Sequence, residues 1–222
     1  MCSVDLRTVT RLAARLPKRP LVLSLNPVSM PDVLDTLDKV GAAVGLELAA
    51  ADARAQLERR LAASTRAVPE GAARPNVLFL EWPDPCFVGG HWTPQIIHDA
   101  GGVQRINPAV GAKSFAVRDE DVTRDDPDVI VAAACGLDLA AMRRALAELE
   151  AHPARGPWWR ALRAVREGRV YVADGSLMFN RPSHHLVAAQ EWMHWVLDAP
   201  LAVRARDRRP DARCEGFPWY PM

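Results

Sequence analysis

Residues 81–102, EWPDPCFVGGHWTPQIIHDAGG, gather the side chains best suited to hold a ligand. Trp82 and Trp92 bracket a stretch rich in Pro and Gly, with Phe87 between them. Both indoles fall at element ends, where a core is thin, although buried core tryptophan is the plainer alternative. A ring facing a flat macrocycle would bury ~100 Å² and contribute on the order of 2–3 kcal/mol. Gly89-Gly90 lets the backbone approach a ligand closely or turn through positive φ. His91 could ligate a metal centre carried by a bound molecule, or simply start a helix in solvent. A second cluster is Gly175–Pro182, GSLMFNRP. Phe179 offers a face, Asn180 donors and an acceptor, and Arg181 a cation. These suit amides, carboxylates or phosphates on a ligand rim. A surface ion pair is the alternative for Arg181.

Catalysis is not indicated. Glu81, Asp84 and Asp174 could move protons, but no nucleophile or second carboxylate is spaced to cooperate with them. Dinucleotide, P-loop and nucleophile-elbow patterns are absent. His184-His185 are adjacent, and neighbours on a helix do not share one ion easily. Cys2, Cys86, Cys135 and Cys214 form no C-x-x-C pair, so neither a zinc site nor a disulfide framework is expected. No catalytic residue, catalytic cofactor or protein-bound metal is assigned, and an enzyme is not expected.

The elements that must position these residues alternate in type. Strands are expected at 76–81, 113–117, 128–133 and 169–173, with helices at 92–100, 119–125, 138–150, 158–166 and 182–197. That alternation predicts an α/β fold with a mainly parallel sheet covered by helices on both faces. The ligand loops at 81–92 and 175–182 then fall at one strand-end edge. Upstream, Ser3 caps an expected helix over 3–16, ended by Pro17 and Pro20. Leu21–Leu25 reads as a short strand. A helix starts near Ser29 with Pro31 in its first turn. Residues 47–66 lack Gly and Pro and form a spine helix ~30 Å long. Residues 69–75 link the spine to the lobe at 76–198. The Arg-rich stretch 201–222 reads as an irregular tail.

The composition is that of a globular protein. Of 222 residues, 49% are apolar and 25% charged, and the net charge is +1. Nothing global points to nucleic acid or a membrane surface. No run reaches the ~18 apolar residues of a membrane span. The N-terminus lacks a secretory pattern, so the chain as it stands reads as cytoplasmic.

Several stretches together resemble the vitamin B12 (cobalamin)-binding proteins of ABC importers, in the helical-backbone metal-receptor superfamily. They are VLFLEWPDPCFVGGHWTPQIIHDAGG, DDPDVIVAAACGLDL, WWRALRAVREGRVYVADGSLMFNRPSHHLV and SLNPVSMPDVLDTLDKVGAAVG, and the likeness runs from residue 2 to about 198. It implies two α/β lobes joined by a rigid helix, with cobalamin bound between them. Residues 1–28 are then a remnant of the first lobe and 29–68 the helical linker. Residues 76–198 supply one wall of the cleft. Trp82, Phe87, Gly90, His91, Trp92, Phe179, Asn180 and Arg181 are the ligand-contact candidates this resemblance implies. The expected function is non-catalytic binding of a corrinoid. Haem or an iron chelate is the alternative ligand, and a truncated remnant acting through association is the alternative role. Family members are commonly extracytoplasmic and dock on an ABC permease. Many carry an acidic residue just after the Gly-Gly pair, where this chain has Val103-Gln104-Arg105. Self-association through residues 3–25 is a further expectation, because a lone strand exposes its hydrogen-bonding edges.

Overall fold

The computed structural model describes residues 5–198. At its centre lie three parallel strands that the sequence makes almost wholly apolar. They are β1 (Val77–Pro83), β4 (Val129–Ala132) and β5 (Val170–Val172). β1 pairs with β4 from Val77↔Val129 to Leu80↔Ala132, and β4 pairs with β5 from Ile130↔Val170. Two antiparallel strands extend the β1 side, β2 (Cys86–Val88) and β3 (Phe115–Ala116). The sheet order is β3-β2-β1-β4-β5. The fold is therefore the covered α/β sheet expected, with an antiparallel edge added. The expected strand at 113–117 shrinks to two residues, and β2 lies in the stretch read as loop.

Strand alternation splits the core in two. Val77, Phe79, Val129 and Val131 face one cluster, while Leu78, Leu80, Ile130 and Ala132 face the other. The first face is covered by α4 (Thr93–Asp99), α9 (His185–Asp198) and the start of α2 (Met30–Val44). The second is covered by α5 (Asp119–Asp125), α6 (Leu139–Ala151), α7 (Gly156–Ala161) and α8 (Arg163–Arg166). The helix expected over 158–166 is broken at Leu162, whose backbone is extended at φ −62°, ψ 137°. Leu162 is fully buried there, so core packing sets the break.

The spine, α3 (Glu47–Ser64), closely matches its expected span. It packs on α9 through Gln190, which donates to the Ser64 and Thr65 hydroxyls at 3.1 and 3.2 Å. Arg60 makes a two-pronged ion pair with Glu191, both bonds 2.7 Å. Arg54 ties the spine to α2 through Asp35 and Asp38. Ser29 and Asp32 form a capping box at the start of α2, which satisfies two otherwise orphan backbone donors.

The first segment departs most from expectation. The helix there is α1 (Leu6–Ala13), capped by Asp5 accepting from the Thr8 N–H at 2.9 Å. None of its residues is buried, and Leu6, Val9 and Leu12 are exposed. Leu21–Leu25 forms no strand. A strand needs a neighbour to take its hydrogen bonds, and none lies beside this run among the described residues. Ser3 and the tail at 201–222 lie outside the described residues.

Cys86 and Cys135 are free thiols, the first buried and the second exposed. Burial, and then the Asp119 carboxylate, push the Cys86 thiol up to about 12, which Arg155 only partly offsets. The thiolate is the reactive form. With Cys2 and Cys214 replaced by Ser, a thiol reagent at neutral pH should modify Cys135 in the native protein. Cys86 should react only after unfolding. Equal native rates for the two thiols would contradict this burial.

Candidate functional site

β1 does not stop at Glu81. It continues through Trp82 and Pro83, turns at Asp84-Pro85 and returns as β2. Val88 lies opposite Leu80, and Phe87 opposite Trp82, so a bulge sits between Leu80 and Trp82. Such bulges bend a strand and re-aim its side chains. Trp82 is 37% exposed and Phe87 half-buried. Two aromatic side chains directly across an antiparallel pair are within contact range of one another. They form the accessible aromatic surface of this motif.

Behind the bulge the chain is tied down. The Ser114 hydroxyl donates to the Glu81 carboxylate and accepts from the Gly90 N–H at 3.1 Å. The two glycines expected to let a ligand approach serve packing instead. A Cβ on Gly89 would lie 2.6 Å from the Phe79 ring, and one on Gly90 would strike the Ala112 carbonyl. The space beside Gly90 is filled by the backbone of residues 112–114, not left for a ligand. The Gln104 and Asn107 amides both donate to the Gly89 carbonyl, at 2.9 and 3.2 Å. His91 follows with φ +54° and is half-buried. Its N–H donates to the Ala112 carbonyl at 2.6 Å, and its carbonyl accepts from Gly111 at 2.8 Å.

The two sequence clusters meet, but through buried atoms. Trp92 is 8% exposed, and its indole N–H donates to the Phe179 carbonyl at 2.7 Å. Phe179 is 1% exposed, with its ring 4.8 Å from that of Phe79 and 6.1 Å from that of Trp192. Neither ring offers a face to a ligand. They are supports rather than contacts, because both point into the core under α4 and α9. Residues Gly175–Phe179 form a single π-helical turn, started by the Asp174 carboxylate accepting from the Leu177 N–H at 2.9 Å. Asn180 closes the turn. Its side-chain amide donates to the Ala133 carbonyl, just past β4, at 3.0 Å. Arg181 beyond it is exposed.

The accessible set at this edge is therefore Trp82, Phe87, His91, Asn180 and Arg181, with Gly90, Trp92 and Phe179 beneath it. The His184 and His185 rings are stacked 4.1 Å apart. Among the described residues no group of three His, Cys, Asp or Glu could hold a metal ion. No helix among them is long and apolar enough to cross a membrane.

The sequence profile of the family described as "Periplasmic binding protein" matches residues 16–177. The chain belongs to that family. Comparison with curated proteins finds no match. Among solved structures, the ABC-type Fe3+-hydroxamate transport system protein of Saccharomonospora viridis is 25% identical. That match covers 81% of this chain and 59% of that one, with a TM-score of 0.61. An ABC transporter substrate-binding protein of Listeria monocytogenes is 21% identical over 87% of this chain and 72% of its own, at a TM-score of 0.72. The periplasmic haem-binding protein RhuT of Roseiflexus sp. is 18% identical over 88% and 72%, at 0.66. The latter two share the fold. The chain spans 59% of the first protein's length.

Burial separates the two tryptophans by role. Trp92→Phe keeps the ring but strands the Phe179 carbonyl, which should cost about 1–3 kcal/mol. Trp82→Ala should stay within about 1 kcal/mol of wild type, since the residue is 37% exposed and its loss strands no buried polar group. Urea unfolding of the two variants measures both. Equal losses would remove the distinction between support and surface.

Proposed function

We propose that this chain supplies the ligand-binding lobe of an ABC importer's substrate-binding protein and holds a bulky metal chelate by contact, without chemistry. The reading rests on one observation above all. Trp82, exposed, and Phe87, half-buried, are paired opposite one another on a ribbon beyond the end of the β1–β4 ladder. An aromatic surface of this kind suits a flat ring system. Asn180 and Arg181 add polar groups for its rim. The proteins of like fold support the chelate class, since two are named for iron-hydroxamate transport and haem binding. Within that class we assign cobalamin or a related corrinoid, on the resemblance of the EWPDPCFVGGHW and FNRP motifs. Haem and iron chelates are the competing ligands. A permease is the partner this role requires.

Titration of the purified protein with cyanocobalamin, haemin and a ferric hydroxamate, read by calorimetry and absorbance, tests the assignment. Cyanocobalamin should bind, and Trp82→Ala should weaken it about tenfold or more, the loss expected when one ring face is removed. Haemin binding without cyanocobalamin binding would move the assignment to haem. No response to any of the three would end the chelate reading.

The exposed Leu6, Val9, Leu12, Leu16 and Leu21 favour association as a second reading. Apolar surface of this extent commonly marks an interface. Light scattering across low to high micromolar protein should show mass rising with concentration. Replacing Leu6, Leu12 and Leu16 by Glu should abolish the rise. A monomer throughout would count against association.

A further inference from the structure

Past Leu80, β1 has no β4 beside it, because that ladder ends at Leu80↔Ala132. The ribbon from Glu81 to Val88 is supported where β3 meets Phe87 and Val88, where the Val117 N–H donates to the Cys86 carbonyl at 2.8 Å, and where Ser114 holds Glu81, but no strand flanks its tip. A ribbon of two strands is marginal on its own, so its direction must be fixed from elsewhere. One guanidinium lies where that can be done. Arg155 Nη1 forms an ion pair with the Asp84 carboxylate at the ribbon tip, 2.7 Å away. Its Nε and Nη2 donate to the two Asp119 oxygens at 2.8 and 2.7 Å. Asp119 is the first residue of α5, and the Trp158 indole N–H donates to its carbonyl at 2.8 Å. The Arg155 Cζ sits 5.4 Å from the centre of the Trp158 ring. The arginine's own N–H donates to His152 Nδ1 at 3.1 Å. Arg155 is only 19% exposed, whereas Asp84 is 68% exposed. The inner end of the clamp is thus built into the fold, and its outer end reaches up to the tip.

We propose that Arg155 is a positioning residue for ligand binding: by holding Asp84 it sets the direction in which Trp82 and Phe87 face. This rests on the reading of that pair as the ligand contact. The clamp needs a planar, forked cation. One guanidinium serves two carboxylates at once, whereas a lysine ammonium is a point charge that cannot span both in this geometry.

The test uses the whole chain as wild type, Asp84→Asn, Arg155→Lys and the double variant. Amide hydrogen exchange is measured first without ligand. Asp84→Asn should leave the thermal midpoint unchanged and speed exchange at residues 82–88 by about two- to fivefold, the range of a partly exposed ion pair. Arg155→Lys should do the same at the ribbon, and the double variant should add little more, as expected for two ends of one contact. Cyanocobalamin, haemin and a ferric hydroxamate are then titrated into each. Whichever chelate the wild type binds should bind Asp84→Asn more weakly by a similar factor. Unchanged exchange at 82–88 overturns the clamp. Faster exchange with wild-type affinity overturns its role in binding. If the wild type binds none of the three chelates, the ligand reading fails and the positioning role with it. The exchange result then shows separately whether Arg155 fixes the ribbon.

Discussion

β1 is longer than the strand that supports it. Its seven residues run beside a β4 of four, and the shared ladder ends at Leu80. The first half of β1 is core, with Val77, Leu78, Phe79 and Leu80 all buried. The second half leaves the sheet, and everything at the candidate site follows from that departure. Without the overhang there is no bulge at Glu81, no hairpin at Asp84-Pro85, and no Trp82–Phe87 pair clear of the helices. The same strand thus provides both the anchor and the reach, and a ligand held by it is held directly against the core.

A second constraint keeps the far side of the site in place. The buried Trp92–Phe179 hydrogen bond joins the start of α4 to the turn after β5, across the width of the central strands. Asn180 adds a bond to the end of β4. Buried hydrogen bonds of this kind contribute modestly when made and cost heavily when broken. The aromatic residues under the site are therefore a foundation, and the ones above it are the surface. Gly89 and Gly90 belong to the foundation too, since each makes room for protein rather than for a ligand.

Much of the architecture was legible in the sequence because it follows local pattern. The spine at 47–66 appears as Glu47–Ser64, and the helix at 119–125 appears unchanged. The apolar runs of β1, β4 and β5 announced a covered parallel sheet. What was missed depended on distant neighbours. β2 was hidden because Pro and Gly density around Cys86-Phe87-Val88 reads as loop, and Asp84-Pro85 signals only that a turn begins, not that a strand follows. Residue type does not reveal which way a ring points, and the burial of Trp92 and Phe179 is visible only in the fold. Leu21–Leu25 has the composition of a strand but pairs with no strand among the described residues. Arg155 left no local trace, being 36 residues from Asp119 in the chain.

That unpaired run has a consequence for solubility. Leu21-Val22-Leu23-Ser24-Leu25 is apolar and open to solvent at all three leucines. Stretches of this composition stack into cross-β fibres when they are about six or seven residues long and free of proline. Here Pro20 and Pro27 limit the proline-free window to residues 21–26, the short end of that range, and Lys18-Arg19 place two like charges at its entrance. Stacked copies would bring those charges together and would meet, at each proline, a residue with no N–H to give the next chain. The prolines and charges at the borders of this run therefore guard an exposed apolar segment against fibre growth.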